Sequence, residues 1–139
     1  TARCQVPDPS HWDWNSPYWR DLGAPWGGAH APTGDVARFL EAFLRPDGRV
    51  LKPETARLMT TVQSTGERER YGLGWRIQLG STFGKASSPS TFGHSGSTGT
   101  VAWADPASGT VCVLLTTLPA VRSRTLLLKP VCDMVAEAG

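Results

Sequence analysis

The residues whose types could do chemistry are concentrated in one short stretch, residues 91–100, which reads TFGHSGSTGT. The stretch predicts a short strand that carries His94, Ser95 and Gly96, followed by Ser97 and a return strand. Side chains alternate along a strand, so His94 and Gly96 are expected on one face and Ser95 and Ser97 on the other. An imidazole, a hydroxyl and a backbone edge left open by glycine suit the close approach of an extended substrate.

The backbone at this point has a chemical use of its own. A backbone N–H of an edge strand, aimed at a developing alkoxide, is an oxyanion-hole donor and contributes about 3–4 kcal/mol to lowering the barrier of acyl transfer. The alternative is that residues 94–97 form a polar turn between strands, with His94 simply solvated.

Two other interpretations of the same residues are weaker. Residues 93–97 (GHSGS) nearly spell the Gly-x-Ser-x-Gly nucleophile elbow, but the last glycine is missing and a β-hairpin, not a helix, is predicted to follow. Ser95 is therefore not expected to be a nucleophile. His11, His30 and His94 have no metal-ligand spacing, so no metal or other cofactor is expected.

Composition excludes several classes of partner. The 139 residues carry a formal net charge of +2 with scattered arginines, which does not suggest nucleic acid. No apolar stretch approaches the roughly 18 residues of a membrane span. The start has no signal-peptide pattern, and the compartment stays unknown. Cys112 and Cys132 are expected to be small buried side chains, with a Cys112–Cys132 disulfide as the alternative.

The chain is predicted to start with an irregular segment and two helices. Residues 1–31 hold four tryptophans among four prolines and are expected to form an irregular segment that packs on a larger body. Thr33 is expected to cap a helix whose apolar face is built from Val36, Phe39, Leu40, Phe43 and Leu44. A second helix should begin near Pro53 and run to about Thr61.

A sheet and a last helix are predicted to follow. Strands are expected over residues 71–79, through the His-Ser-Gly segment, and over 99–105 and 110–117 as a hairpin. The last strand is apolar on both faces, which indicates cover on both. From Ala120 a helix is expected, kinked or restarted at Pro130, with its apolar face formed by Leu127, Val131, Met134, Val135 and Ala138. The predicted fold is α+β, with an antiparallel sheet flanked by helices in residues 32–139.

Several of these segments, in this order, resemble the serine penicillin-recognising hydrolases, which comprise class C β-lactamases, DD-peptidases and related esterases. GHSG is similar to the His-x-Gly variant of their Lys-Thr-Gly motif. WGGAHAPTGDVARFLEAFL, VLKPETARLMTT, YGLGW and VCVLLTT are similar to other segments of the family, so the resemblance covers about residues 22–118.

The resemblance implies roles for four residues. His94 takes the place of the family's lysine, and Ser95 that of the threonine whose hydroxyl binds a substrate carboxylate. Gly96 keeps the strand open, and the Ser97 N–H becomes an oxyanion donor. The family's Ser-x-x-Lys and Tyr-x-Asn motifs are absent from this chain, since the nearest string, residues 82–85, has threonine in place of serine.

The resemblance therefore implies the C-terminal part of a larger serine hydrolase of the DD-peptidase/β-lactamase-like fold. Its missing N-terminal portion would supply the nucleophile, and its substrate would be a β-lactam, a D-amino-acid peptide or an ester. Without a nucleophile this chain alone is not expected to be a complete enzyme. One alternative is a non-catalytic binding or scaffold module that retains the groove; another is a carbohydrate binder lined by tryptophan.

Overall fold

The computed structural model of the chain describes residues 16–65, 70–78 and 80–139. Five helices and four strands alternate with turns in the described residues. In chain order they are α1 (Pro17–Leu22), α2 (Thr33–Leu44), α3 (Pro53–Met59), β1 (Arg76–Ile77), a 3₁₀ turn (Gly80–Thr82), β2 (Phe92–Gly96), β3 (Thr100–Asp105), β4 (Thr110–Leu115), α4 (Ala120–Ser123), a π-helical turn (Arg124–Leu128) and α5 (Lys129–Ala138).

The four strands form one antiparallel sheet in the order β1-β2-β3-β4. Its register places Trp103 at the centre, between Gly93 of β2 and Cys112 of β4. Helices flank this sheet, and the α+β fold class expected from the sequence is confirmed.

Each face of the sheet has its own core. On the α2 side the buried residues are Leu40, Phe43, Ala56, Ile77, Phe92 and Ala104. On the side of the C-terminal helices they are Phe83, Val101, Trp103, Cys112, Leu128 and Cys132. In β4, Val111 and Val113 pack on the first core while Cys112 and Leu114 pack on the second, so the expectation of cover on both faces is confirmed.

The sequence suggested that the N-terminal segment is irregular throughout, but part of it is helical. Residues 17–22 form α1, because the Ser16 hydroxyl accepts a hydrogen bond from the Trp19 N–H at 3.2 Å and Pro17 occupies the first turn. Gly23, in the left-handed conformation, ends the helix. Residues 1–15, with Trp12 and Trp14, lie outside the described residues, and packing of this segment on a larger body stays a prediction.

The two predicted helices are present with shifted ends. Thr33 does not cap α2: it is the first helical residue, and extended Pro32 is the cap, its carbonyl accepting from Asp35 and Val36. Pro32 has the extended backbone conformation of a capping residue, and no side chain donates or accepts a capping hydrogen bond at this end of α2. The second helix ends at Met59, where the Thr60 hydroxyl bonds back to the Ala56 carbonyl at 3.0 Å.

Residues 71–79 do not form the expected continuous strand. Only Arg76 and Ile77 belong to β1, and Tyr71 instead pairs back onto Arg76 across a tight turn. Gly74 has a φ of +85° and the Gly72 N–H donates to the Trp75 carbonyl at 2.8 Å. The two glycines of YGLGW thus favour a turn over the strand that the alternating apolar residues suggested.

The apolar face predicted for the C-terminal helix is only partly right: Val135 packs against the second core, but other predicted positions do not. Met134 is 69% exposed and Leu127 36% exposed, whereas Leu128 and Cys132 are buried. The cause is the π-helical turn, in which the Lys129 N–H donates to the Arg124 carbonyl and adds a residue to the turn. Pro130, which has no N–H to donate, follows at the start of α5, so it restarts the helix.

A buried carboxylate fastens the loop before β2 to the end of β3. Asp105 is 4% exposed and accepts hydrogen bonds from the Ser88 N–H (2.7 Å), the Ser88 hydroxyl (2.5 Å) and the Ala107 N–H (2.9 Å). Burial by itself raises the pKa of Asp105, but the bonds from Ser88 and Ala107 outweigh it and hold the pKa below its ordinary value. The carboxylate thereby aligns the start of β2.

We expect Asp105→Asn to lower the free energy of unfolding by about 1–3 kcal/mol at neutral pH. The reason is that the amide NH₂ group would replace one carboxylate oxygen and would face an N–H or O–H donor that it cannot accept from. Since the folded pKa is depressed, the stabilisation is complete above the unfolded pKa, ordinarily 3.8, and disappears as pH falls through the folded value. Urea unfolding across pH tests this, with exposed Asp35→Asn as the control. An equal difference between wild type and Asp105→Asn at pH 7 and pH 2 would contradict it.

Candidate functional site

The His-Ser-Gly strand is β2, and its position in the sheet is more specific than the expected free edge. β2 is the second strand, but β1 pairs only with Phe92 and Gly93. Beyond Gly93, His94, Ser95 and Gly96 pair with β3 on one side and have no strand partner on the other within the described residues. The first half of β2 is therefore locked in the sheet, and the second half presents its edge.

The strand separates the two side chains that the sequence singled out. His94 shares its face with Phe92, which packs in the α2-side core. Ser95 lies opposite Val101, which packs in the core beneath the C-terminal helices. The predicted alternation between His94 and Ser95 is therefore present, whereas Ser97 lies in the turn after β2 and not in the strand.

The His94 ring is exposed and contacts its own strand. Nδ1 lies 2.9 Å from the Ser95 carbonyl oxygen, and because that oxygen can only accept, Nδ1 carries the proton in this contact. Nε2 is then the ring nitrogen able to accept a proton. His94 stands beside the edge of β2, on the opposite face from the Ser95 side chain.

Ser95, Gly96 and Ser97 line a groove between the end of β2 and the C-terminal helices, here called the Ser95 groove. Its volume is about 400 Å³, which suits a small ligand. The remaining lining residues are Arg76, Thr82, Ala120, Arg124, Thr125, Leu128 and Lys129. The structure thus brings together three of the four predicted site residues, and His94 is the one outside the lining.

The carbonyl of Ser97 is hydrogen-bonded, whereas its N–H is not. Its carbonyl accepts a hydrogen bond from the Ala120 N–H at 3.0 Å, which ties the turn to the start of α4. The Ser97 N–H donates no hydrogen bond to any described residue. A backbone donor without a partner at a groove is the arrangement that an oxyanion hole needs.

The sequence analysis missed the cationic side chains of the groove. Arg76 is engaged with Tyr71, donating from Nε to the hydroxyl and stacking 5.2 Å from the ring centroid. The guanidinium of Arg124, which is exposed on the π-helical turn, has no hydrogen-bond or ion-pair partner among the described residues. Arg124 lies on a predicted helix, and nothing in the sequence indicated that this residue would line the same groove as Ser95.

Lys129 is the third cation, and an acidic neighbour holds it. Its Nζ lies 2.8 Å from Asp133 Oδ2, and the Lys85 N–H donates to the other carboxylate oxygen at 2.9 Å. The Lys129 ammonium, with the Lys85 N–H, holds the pKa of Asp133 below its ordinary value. Because Lys129 is neutralised in this way and Arg76 is engaged with Tyr71, Arg124 is the cation with the most freedom to bind an anion in the groove.

The tryptophans, possible metal ligands and helices bear on the alternative functions, namely carbohydrate binding, metal binding and membrane insertion. Trp75 packs edge-on against Phe43 and Phe92, and Trp103 is fully buried. Within the described ranges, no group of three or more His, Cys, Asp or Glu side chains could hold a metal ion. The helices described here are all too short or too polar to cross a membrane.

Comparison with known proteins gives a consistent result. The beta-lactamase family model matches residues 1–127. A protein of Escherichia coli K12 named "Putative D-alanyl-D-alanine carboxypeptidase" is 36% identical over 100 residues, covering 66% of this chain and 23% of the relative. A protein of the same name from Salmonella agona is 31% identical over 111 residues, covering 73% and 25%.

A solved structure matches as well. The crystal structure of a beta-lactamase from Mycobacterium bovis superimposes with a TM-score of 0.64 at 28% identity, covering 76% of this chain and 43% of that one. The chain spans about a quarter of the length of the curated relatives it matches.

Substitution of the two glycines of β2 by alanine is expected to affect stability to different extents. A Cβ at Gly93 would lie 2.4 Å from the Ala102 carbonyl oxygen and 2.6 Å from Trp103 Cβ, whereas one at Gly96 would meet only the rotatable Thr100 hydroxyl below 3 Å. We expect Gly93→Ala to cost about 1–3 kcal/mol of stability through forced shifts of the backbone, and Gly96→Ala clearly less. Urea unfolding of both variants measures this; equal losses would show that Gly96 is also required for packing.

Proposed function

The chain belongs to the beta-lactamase family, and we propose that it is the C-terminal portion of a serine hydrolase that cleaves amide or ester bonds through an acyl-enzyme. The observation that carries this proposal is the Ser95 groove. Ser95, Gly96 and Ser97, which belong to one strand and its turn, line the groove together, and the Ser97 N–H has no partner among the described residues. The chemistry of acyl transfer requires such a combination of substrate-binding and oxyanion-stabilising groups.

In the proposed reaction, a serine supplied by the missing N-terminal portion attacks the substrate carbonyl. The Ser97 N–H donates to the oxygen as it becomes an alkoxide, and the free edge of β2 aligns the substrate. The carbonyl re-forms as the leaving group departs, and water then releases the acyl group from the serine. By the resemblance His94 takes the place of the family's lysine, and because it lies outside the lining of the Ser95 groove, it would reach the substrate across the open edge of β2.

The substrate is proposed to carry a carboxylate. Arg124 and Ser95 both line the groove, and the Arg124 guanidinium has no partner among the described residues. A guanidinium and a hydroxyl together bind a carboxylate through charge-assisted hydrogen bonds. This favours a β-lactam or the end of a D-amino-acid peptide over a neutral ester.

A labelling experiment tests the proposal as a whole. A fluorescent penicillin and an activated fluorophosphonate are added to this chain and to the full-length protein that contains it, and intact mass is measured. We expect the full-length protein to be labelled and this chain to remain unlabelled, because loss of a nucleophile costs about a millionfold in rate. Labelling of this chain would contradict the assignment and direct attention to Ser95 and Ser97.

The same experiment decides between the enzyme and the non-catalytic binding module. Both would retain the groove, but only the enzyme would have a nucleophile that the reagents can label. If the full-length protein is folded and neither reagent labels it, the binding module replaces the enzyme as the function of this chain.

The proposed role of Arg124 makes a separate prediction. In the full-length protein, Arg124→Ala should lower kcat/KM for a carboxylate-bearing substrate by about 10- to 100-fold, the effect of a lost charge-assisted hydrogen bond. Hydrolysis of a neutral ester should change little. Arg122→Ala is the matched control, because Arg122 is exposed two residues away and does not line the groove. Equal losses on both substrates, or in both variants, would exclude carboxylate binding by Arg124.

A further inference from the structure

Two cysteines meet in the core beneath the C-terminal helices. Cys112 on β4 is 6% exposed and Cys132 on α5 is fully buried, and both are free thiols. They belong to the same hydrophobic cluster, although 20 positions separate them in sequence. The proposed hydrolase reaction uses neither.

Trp103 places the two sulfur atoms on the same side of the sheet. It lies directly opposite Cys112 in the β3–β4 register, and opposite residues project to the same face. Its indole Nε1 donates to Cys132 Sγ at 3.2 Å. Cys112 and Cys132 pack in the same cluster around this indole, and each side chain alters the pKa of the other. The three residues thus form one buried cluster with the two thiols adjacent.

We propose that Cys112 and Cys132 are a latent disulfide site, which closes when the protein is oxidised by a peroxide and ties the last strand to the last helix. This inference does not depend on the proposed function, because it requires only the packing of α5 on the sheet.

The electronic environment identifies Cys132 as the attacking sulfur. Hydrogen bonds from the Cys112 thiol and the Trp103 N–H lower the pKa of Cys132 to about 7, against the opposing effects of burial and of Asp133. The same contact, followed by burial, raises the pKa of Cys112. Since the thiolate is the form that reacts with peroxide, Cys132 is oxidised first and Cys112 resolves it.

The two steps balance with one peroxide per disulfide. The Cys132 thiolate attacks one peroxide oxygen, an S–O bond forms, the O–O bond breaks, and the departing hydroxide takes a proton to become water. Cys112 then attacks the Cys132 sulfenic acid, an S–S bond forms, the S–O bond breaks, and the second water leaves. Two thiols lose two electrons in total, and the peroxide is reduced to two waters.

The consequence would fall on the Ser95 groove. α5 carries Lys129, which lines the groove, and Asp133, which holds Lys129, next to Cys132 in the chain. A covalent link from Cys132 to β4 would restrict the movement of α5 relative to the sheet. Oxidation would therefore fix one wall of the groove.

The test is disulfide mapping of the folded protein after treatment with hydrogen peroxide. Remaining thiols are alkylated under denaturing conditions, the protein is digested without reductant, and linked peptides are identified by mass. We expect a Cys112–Cys132 linkage as the main product, with a mass lower by two hydrogen atoms and with both thiols recovered after reduction. The same linkage should form in Cys4→Ser, which keeps the pair and removes the third cysteine.

Three results would overturn the inference: alkylation of both cysteines after oxidation, linkage of either one to Cys4, or irreversible oxidation of Cys132 without a disulfide. Cys112→Ser and Cys132→Ser should each abolish the linkage. Because mapping of the wild-type protein decides the question by itself, the result does not rely on these variants folding.

Discussion

The central constraint on this structure is that the β3–β4 hairpin is apolar on both faces. A strand such as β4, with valines on one side and Cys112 and Leu114 on the other, loses the benefit of burial unless helices cover both. α2 covers one face and the C-terminal helices cover the other. The second of these packings creates the Ser95 groove, because the helices that bury Trp103 also close one side of the space at the end of β2.

Much of the fold could be predicted from local pattern. Three features were predicted in this way: the periodicity of α2, the proline at the start of α3 and the β3–β4 hairpin. Each depends on residues that interact within a few positions of one another, so the local sequence is enough to predict it. The failures have non-local or rare causes. The exposure of Met134 follows from a π-helical turn, and the loss of a strand at residues 71–75 follows from the backbone freedom of two glycines. Apolar spacing reports neither.

The candidate site divides in the same way. Ser95, Gly96 and Ser97 could be identified because they are consecutive at the end of one short strand. Arg124 and Lys129 could not, since their approach to Ser95 depends on how the C-terminal helices cross the sheet and on the register set by the π-helical turn. His94 was identified by its type and neighbours, yet its ring stands on the other face of β2. Any group that acts together with both His94 and Ser95 must therefore approach along the open edge of the strand.

Packing and proposed chemistry meet at the turn after β2. The Ser97 carbonyl is held by the Ala120 N–H, and the Thr116 hydroxyl donates to the Gly99 carbonyl at 2.7 Å. The first contact comes from the first residue of α4 and the second from the segment that joins β4 to α4, so both tie the turn after β2 to the place where the C-terminal helices begin. Those helices are in turn anchored by Leu128 and Cys132 against Trp103. A change in the core beneath α5 would therefore alter the anchoring of this turn, and two such anchors would suit the positional precision that the proposed oxyanion role of the Ser97 N–H requires.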